Sequence, residues 1–217
     1  PFIRAKIAMS SDQKSVFVSS KRKWITGGLA RKDVQFLRAE ADIIVTGAGT
    51  INLDKPSMNV RLKKLSSNIN FIQPDRYVFS KDLSLDWTAP FFSLPGKKIL
   101  VTAKKKLPKI PRNLKDISIM NFSTNKNYIN PVNFVNRVSK QNVNNILIEA
   151  GPALLGSFGD ENLIDEYIFF ISPEKLGDKA LHFYGGKNKI NFFDNKQFDI
   201  VEETQVGKDK KIVFRKK

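Results

Sequence analysis

The chain has 217 residues, of which 41% are hydrophobic and 27% charged, the balance of a soluble globular protein. It contains no cysteine and one histidine, His182, which excludes disulfides, thiolate metal sites and most histidine-based zinc or triad chemistry. No apolar run approaches the roughly 20 residues of a membrane span and no signal peptide opens the chain, so we predict a cytoplasmic location away from membranes.

The first half of the chain predicts a strand, a helix, a second strand and a second helix. Residues 2–10 are apolar enough for a central strand. In the helix predicted over residues 30–41, Ala30, Val34, Leu37 and Ala41 recur at helical spacing and mark the buried face. A short strand over residues 42–46 runs into the Gly47 turn and a helix, and residues 62–73 are polar and aperiodic, which indicates a loop.

The second half continues the same alternation. Strands are predicted over residues 76–79, 98–102 and 117–122, and a helix over 131–141 with Val132, Val135 and Val138 on one face. A buried strand over 145–149 leads into a short helix, and strands over 165–172 and 212–215 follow without helices between them. The pattern predicts one α/β domain over residues 1–217, a central mixed sheet covered by helices on both faces.

Two glycine-marked junctions follow buried strands. Gly47-Ala48-Gly49-Thr50 turns from strand to helix, where free backbone N–H groups favour an anion, although the third glycine of a dinucleotide fingerprint is absent. Residues 149–157 form the second junction, with a proline at the first helical turn. Each is either an ordinary structural turn or a phosphate cradle. Ligands of open α/β sheets bind at the carboxyl ends of strands, so the pair favours a dinucleotide.

Five polar or aromatic residues near these junctions have both a functional and a structural interpretation. The spacing of Arg38 from Val34 turns it toward the buried face of its helix, where it needs a substrate phosphate or a carboxylate such as Asp42. Lys6 lies within an apolar strand and needs a partner for its amine. The alternatives for the remaining three are a turn cap for Asp54, a solvated charge for Arg61, and core packing or a plate for a ligand ring for Trp24.

Other reaction classes lack their signatures. No lysine follows a phosphate-binding glycine loop, no nucleophile elbow is present, and no carboxylate pair suggests glycoside hydrolysis. The reaction class that remains is one in which a bound cofactor performs the chemistry, such as hydride transfer. The formal net charge of +16 fits a phosphorylated ligand or simply a lysine-rich surface, because the lysines occur in short scattered runs. That scatter argues against a nucleic-acid partner.

A set of short motifs resembles the reductase domain of bifunctional riboflavin-biosynthesis deaminase-reductases, in the order and spacing of that family over nearly the whole chain. The motifs are Lys6-Ile7-Ala8-Met9-Ser10-Ser11-Asp12, Trp24-Ile25-Thr26-Gly27, Ala30-Arg31-Lys32-Asp33-Val34, Leu37-Arg38-Ala39, Gly47-Ala48-Gly49-Thr50, Asp54-Lys55-Pro56, Arg61, Gln73-Pro74-Asp75-Arg76 and Glu149-Ala150-Gly151-Pro152. The resemblance implies a dihydrofolate-reductase-like three-layer fold, a homodimer, and NADPH-dependent reduction of 5-amino-6-(5-phosphoribosylamino)uracil to its ribitylamino product.

The resemblance also implies site residues. The expected NADPH contacts are Ala8, Trp24, Thr50, Asp54, Gly151, Pro152, Ala153, Leu154, Leu155, Gly156 and Ser157. The expected substrate contacts are Arg38, Met58, Arg61 and Glu149, with Lys6 as a further phosphate partner. Asp54 is the expected catalytic residue, and no metal is expected.

The chain departs from the family pattern at several positions. Arg22 replaces a small serine, Lys55 replaces the second aspartate of an Asp-Asp-Pro motif, and Ser80-Lys81 replaces an Asp-Ser pair. Gln13 stands where the family has glycine. A chain without cysteine lacks the zinc ligands of the family's deaminase, so we expect that activity in a fused domain before Pro1 or in a separate partner. The alternatives are a pteridine or dihydrofolate reductase, a non-catalytic nucleotide-binding domain, and a basic nucleic-acid-binding module.

Overall fold

The computed structural model describes residues 1–16, 24–62, 72–104, 110–122, 129–188, 192 and 197–217. These residues group into two compact units. The middle unit is Pro1 with Gln35–Ile146, and the terminal unit is Phe2–Val34 with Leu147–Lys217. The prediction of a single domain over residues 1–217 stays a prediction. Of the helices in the described ranges, none combines the length and apolar composition that crossing a bilayer requires.

Strands and helices alternate through most of the chain. The strands are β1 (Phe2–Ser10), β2 (Lys14–Val16), β3 (Ile43–Gly47), β4 (Asp75–Phe79), β5 (Lys98–Thr102), β6 (Ile117–Asn121), β7 (Asn145–Ile148), β8 (Glu166–Ser172), β9 (Leu181–His182), β10 (Phe198–Val206) and β11 (Asp209–Lys216). The helices are α1 (Gly28–Ala39), α2 (Ala48–Asp54), α3 (Pro90–Ser93), α4 (Pro131–Val138) and α5 (Pro152–Asp160). A 3₁₀ turn over Ser139–Gln141 extends α4.

The middle unit carries parallel strands in the order β3-β4-β5-β6. All five residues of β5 are buried, as expected for a parallel strand covered on both faces. Tyr77 and Phe79 of β4 pack edge-on against Phe134 of α4, with ring centroids 5.5 and 4.9 Å apart. The buried face of α4 therefore runs through Pro131, Phe134 and Val138.

The terminal unit carries the order β10-β11-β8-β1 and mixes strand directions. β1 is parallel to β8, whereas β11 is antiparallel to both β8 and β10. Its core is an aromatic cluster of edge-to-face and tilted rings: Tyr167, Phe169, Phe183, Phe192, Phe198 and Phe214. The many phenylalanines of the sequence therefore supply the core of this unit.

Most predicted elements are confirmed, with no end shifted by more than three residues. Ala30, Val34, Leu37 and Ala41 are all buried, although α1 starts two residues before the predicted helix and ends two residues before Ala41. The predicted stripe of valines on α4 is partly wrong, because Val132 and Val135 are only half-buried. The predicted loop over residues 62–73 lies mostly outside the described residues.

Four elements were not predicted: β2, α3, β9 and β10. β10 has a mostly exposed burial pattern, so its sequence lacks the apolar alternation of a half-buried strand. It forms because its backbone pairs antiparallel with β11, in a ladder interrupted by an irregularity between Ile200 and Glu202. The other three elements contain four residues or fewer, too short to show a period.

Candidate functional site

In the terminal unit, Lys6 and Ala8 lie two residues apart on β1, so both side chains point to the same face of the sheet. Both are partly exposed. The Lys6 Nζ atom lies 3.4 Å from Oε2 of Glu149, which directly follows β7 and is 4% exposed. The Lys6 amine therefore has the partner that the sequence requires, a buried carboxylate. The ion pair brings together two charges that would each be costly to bury alone.

The second glycine junction takes the predicted form in the terminal unit. Gly151 is the N-cap of α5 in extended conformation, and Pro152 occupies the first turn, where its missing N–H costs nothing. Ala153 is exposed, while Gly151, Pro152, Leu154 and Ser157 are partly exposed. Leu155 and Gly156 are buried. The part of this junction open to a ligand is therefore the first turn of α5 together with Ser157.

The glycine at position 156 has a packing role that the sequence did not reveal. A Cβ atom there would lie 2.5 Å from Cα of Gly186 and 2.6 Å from the carbonyl carbon of Gly185, closer than real Cβ atoms approach. The Gly185 N–H donates to the Pro152 carbonyl at 3.1 Å. Gly156 thus lets the glycine pair reach the α5 backbone.

The Asp160 carboxylate at the end of α5 secures the same contact. It accepts hydrogen bonds from the backbone N–H groups of Lys187 and Asn188 and from the Tyr184 hydroxyl. The two backbone N–H bonds are the main reason why the pKa of Asp160 is lowered. Desolvation and the hydrogen bond to Asp160 raise the pKa of Tyr184, so the phenol stays a donor.

Trp24 is 52% exposed, so the core-packing interpretation of this residue is wrong. The Arg31 guanidinium carbon lies 5.1 Å from its ring centroid, and the same guanidinium donates to the Thr26 carbonyl at 2.7 Å. The fully buried Asp209 accepts the Gly27 N–H at 2.6 Å, directly before α1. This segment therefore presents an aromatic ring to solvent from an anchored backbone.

In the middle unit, the first glycine junction is confirmed. Gly47 caps α2 in extended conformation, Thr50 lies partly exposed in its first turns and Asp54 ends it, exposed. A Cβ atom at Gly49 would meet nothing within 4 Å, so packing does not require glycine there. The conformation of Asp54 is that of a helix end followed by Lys55 in the left-handed region.

Lys55, one of the departures from the family pattern, has a local partner. Its Nζ lies 2.7 Å from Oδ2 of Asp86, and this bond, with those from Thr88, lowers the pKa of Asp86 to about 2. Lys81 is exposed at a bend, and its backbone carbonyl accepts a hydrogen bond from Thr102 Oγ1 at 3.4 Å. Arg22 lies outside the described residues.

Gln13, another departure, adopts a positive φ of 62°, a conformation that the glycine of the family reaches at lower cost. Asp12 beside it accepts hydrogen bonds from the Ser10 hydroxyl and from the N–H groups of Leu176 and Gly177. The Ser10 bond is the largest reason why the pKa of Asp12 falls to about 2. The turn keeps its anchors without the glycine.

Arg38, Met58 and Arg61 come together within the middle unit. Arg38 is 8% exposed, as its helical position predicts; it donates to the Asn59 carbonyl at 3.2 Å and lies 3.7 Å from the Met58 sulfur. Arg61 is exposed and bonds Ser57 Oγ and Asn59 Oδ1. An arginine fixed in this way on a loop is suited to receive an anion.

The alternative salt bridge from Arg38 to Asp42 is not formed. The Asp42 carboxylate instead accepts the backbone N–H groups of Asn144 and Asn145, at 2.7 and 2.8 Å. Of the polar residues that organise this region, the sequence did not single out Gln35, which has no spacing or neighbour that signals a role. It marked Gln73 only as part of the Gln73-Pro74-Asp75-Arg76 motif.

Comparison with known proteins settles the family of a chain with these features. Residues 1–211 match the family described as the RibD C-terminal domain. The chain belongs to this family. Among its relatives, riboflavin biosynthesis protein RibD of Buchnera aphidicola subsp. Baizongia pistaciae is 34% identical; the alignment covers 100% of the chain and 60% of that protein. The chain thus spans between about half and three fifths of the length of the RibD proteins that it matches.

A shorter relative matches the chain nearly end to end. The 5-amino-6-(5-phosphoribosylamino)uracil reductase of Buchnera aphidicola subsp. Acyrthosiphon pisum is 29% identical over 90% of the chain and 96% of that protein. Its name describes the reductase alone.

Solved structures support the fold class. Acinetobacter baumannii RibD superposes with a TM-score of 0.80 at 27% identity, covering 100% of this chain and 58% of that chain. Dihydrofolate reductase of Enterococcus faecalis superposes with a TM-score of 0.51 at 10% identity, over 99% of this chain and 96% of that one, which bears on the fold alone. The predicted dihydrofolate-reductase-like α/β fold is confirmed.

Proposed function

We propose that this chain is a reductase that converts 5-amino-6-(5-phosphoribosylamino)uracil to the ribitylamino compound with NADPH. The observation that carries the proposal is the near end-to-end match to a relative named for that reductase. The basic groups of the candidate site are consistent with a phosphorylated substrate. We further propose a cytoplasmic, homodimeric protein that works with a deaminase, either fused or separate.

The chemistry of the described residues fits a nicotinamide dinucleotide. Trp24 offers an exposed aromatic ring, Gly49 an open backbone position, and α5 an accessible first turn with amides suited to phosphate. We propose that Ala8, Trp24, Thr50, Asp54, Gly151, Pro152, Ala153, Leu154 and Ser157 contact NADPH, with Leu155 and Gly156 behind them. When bound, this cofactor supplies the hydride.

For the substrate, we propose contacts to Lys6, Arg38, Met58, Arg61 and Glu149. Arg61 carries the exposed positive charge that fits a phosphate, whereas buried Arg38 fixes the loop carbonyl beneath it. Lys6 and Glu149, as a charge pair, can hydrogen-bond the hydroxyl and amino groups of a sugar or pyrimidine. These groups bind and orient the substrate.

Asp54 is proposed as the catalytic residue. Reduction of the ring-opened imine adds hydride to carbon and requires a proton on nitrogen. The Asp54 carboxyl lies exposed at the end of α2, where it can exchange protons with water and pass one to the substrate. An Asp54→Asn variant keeps the size of the side chain and removes the carboxyl group that can transfer a proton.

The function is tested by NADPH consumption with the purified chain and 5-amino-6-(5-phosphoribosylamino)uracil, with product identified by mass. NADH and dihydrofolate serve as controls, because a pteridine reductase would use dihydrofolate and ignore the ribosylamino compound. Asp54→Asn should lower kcat by about 10²-fold or more, and Arg61→Met should raise KM by about tenfold or more. Undiminished turnover in Asp54→Asn would remove its catalytic role, and no substrate-dependent oxidation by the wild-type chain would overturn the function.

A further inference from the structure

The loop at residues 57–61 has an unusual source of backbone hydrogen bonds. It contains Met58 and Arg61, two proposed substrate contacts, and has no regular secondary structure. Five hydrogen bonds join the backbone of this loop to side chains outside it, those of Gln35, Arg38, Gln73 and Arg76. A loop held in this way depends on those side chains for its conformation.

Gln73, just before β4, satisfies both backbone groups of one loop residue. Its Oε1 accepts the Val60 N–H at 2.9 Å, and its Nε2 donates to the Val60 carbonyl at 3.0 Å. The side-chain amide thus pairs with Val60 as a neighbouring strand would. Gln35 of α1, 8% exposed, accepts the Arg61 N–H at 2.8 Å.

Arg76 of β4 holds the beginning of the loop. It is 1% exposed and donates to the carbonyls of Ser57, Leu94 and Pro95 at 2.7–2.9 Å. Burial lowers the pKa of Arg76 to about 10. Its geometry requires three carbonyls to converge on one planar guanidinium, which fixes the loop relative to β4.

The conformation so fixed is one the loop would not adopt by itself. Met58 has a φ of 49°, in the left-handed region that a long side chain rarely occupies, and it is 4% exposed. Such a conformation persists where the surroundings determine it. Arg61, two residues beyond the Asn59 that it bonds, inherits its orientation from the same backbone.

We propose that Gln73, Gln35 and Arg76 are positioning residues that preorganise the loop at residues 57–61 for an anionic substrate. The inference rests on the proposed function for the identity of that substrate. None of the three needs to touch the ligand: their partners are loop carbonyls and N–H groups. Their effect is on the placement of Met58 and Arg61, and therefore on substrate binding more than on NADPH binding.

Three variants test this proposal. Gln73→Met keeps the side-chain length and removes both hydrogen bonds to Val60. Gln73→Glu places a carboxylate against the Val60 carbonyl when ionised, but a protonated carboxyl restores one acceptor and one donor. Gln205→Met is the matched control, because Gln205 is exposed on β10 and its side-chain amide donates to the Gly207 carbonyl of its own hairpin.

Gln73→Met should raise KM for 5-amino-6-(5-phosphoribosylamino)uracil by about tenfold, with kcat and the NADPH Kd changed less than about twofold. The KM of Gln73→Glu, relative to wild type at each pH, should fall as pH is lowered toward the pKa of its carboxyl, whereas that of Gln73→Met should not change with pH. Gln205→Met should behave as wild type. Equal effects on substrate and NADPH binding, or no low-pH recovery, would overturn the positioning role.

A second measurement separates this inference from the proposed function. Amide hydrogen exchange should show Val60 and Arg61 protected in the wild-type chain, and Val60 should exchange about tenfold faster in Gln73→Met. If the wild type consumes no NADPH with the substrate but this exchange pattern appears, the function fails and the loop scaffold stands. If Val60 exchanges equally fast in both proteins, the scaffold itself is refuted.

Discussion

Gly156→Ala is the most direct test of how α5 is packed. The added Cβ atom would lie 2.5 Å from Cα of Gly186 and 2.6 Å from the carbonyl carbon of Gly185. Both are backbone atoms, which cannot rotate out of the way as a side chain does. That backbone is tied to α5 by the hydrogen bond from Gly185 N–H to Pro152 and by the Asp160 carboxylate.

The free energy change has two opposing terms. Alanine favours a helix over glycine by about 1 kcal/mol. Forcing a methyl group into a packed contact costs about 1–3 kcal/mol, and more where neither side yields. Since the neighbours of Gly156 are tethered backbone, we take the upper part of that range and expect a net loss of about 2 kcal/mol.

Gly49→Ala is the matched control. It is the same substitution in a helix that also follows a glycine junction, but a Cβ atom there meets nothing within 4 Å. Only the helix-propensity term remains, so stability should rise by up to about 1 kcal/mol. Because Gly49 directly precedes Thr50, a proposed NADPH contact, the same variant should weaken NADPH binding while stabilising the fold.

Urea unfolding, followed by circular dichroism, measures both variants. With a slope of about 2 kcal/mol per molar urea, Gly156→Ala should lower the midpoint by about 1 M and Gly49→Ala should raise it by up to about 0.5 M. A Gly156→Ala midpoint equal to or above that of Gly49→Ala would refute the close contact with Gly186.

Three further predictions concern charge and the exposed ring. Burial lowers the pKa of Lys98 from its ordinary 10.5, so its positive charge opposes folding at neutral pH. The stability of the protein should therefore rise as pH climbs through the lowered pKa, and Lys98→Met should be more stable than wild type at pH 7 and lack that alkaline rise. The Ser10 hydroxyl bond holds the pKa of Asp12 at about 2, so the stabilisation from the Asp12 carboxylate is present above pH 3.8 and lost as pH falls through 2. Asp12→Asn should lower stability at neutral pH and reduce the fall of the urea midpoint with decreasing pH. Trp24→Leu should weaken NADPH binding by about tenfold in calorimetry and leave the urea midpoint within about 0.3 M, because the ring is exposed.

Each of these has a contrary outcome. A Lys98→Met protein less stable than wild type at pH 7 would mean that the hydrogen bond from Lys98 to Leu94 outweighs the burial of charge. Acid unfolding of Asp12→Asn with the wild-type pH dependence would show that the Asp12 carboxylate does not contribute in that range. An unchanged NADPH Kd in Trp24→Leu would remove Trp24 from the cofactor site.

The sequence by itself determined the strands and helices with a strong apolar period. The buried face of α1 and the two glycine junctions could be predicted, because helical spacing and glycine chemistry are local properties. The motifs also determined the family, since their order over nearly the whole chain is a linear pattern. The burial of Arg38 followed from its distance to Val34 in the chain.

Only the tertiary structure decided which partners these residues meet. Arg38 reaches Asn59 rather than Asp42, and Gln73 pairs with Val60, because the loop at residues 57–61 packs against α1 and β4. The reason for glycine at position 156 is a backbone from thirty residues away. β10 exists through its ladder with β11. Such contacts depend on segments distant in sequence, and neither periodicity nor local propensity carries information about them.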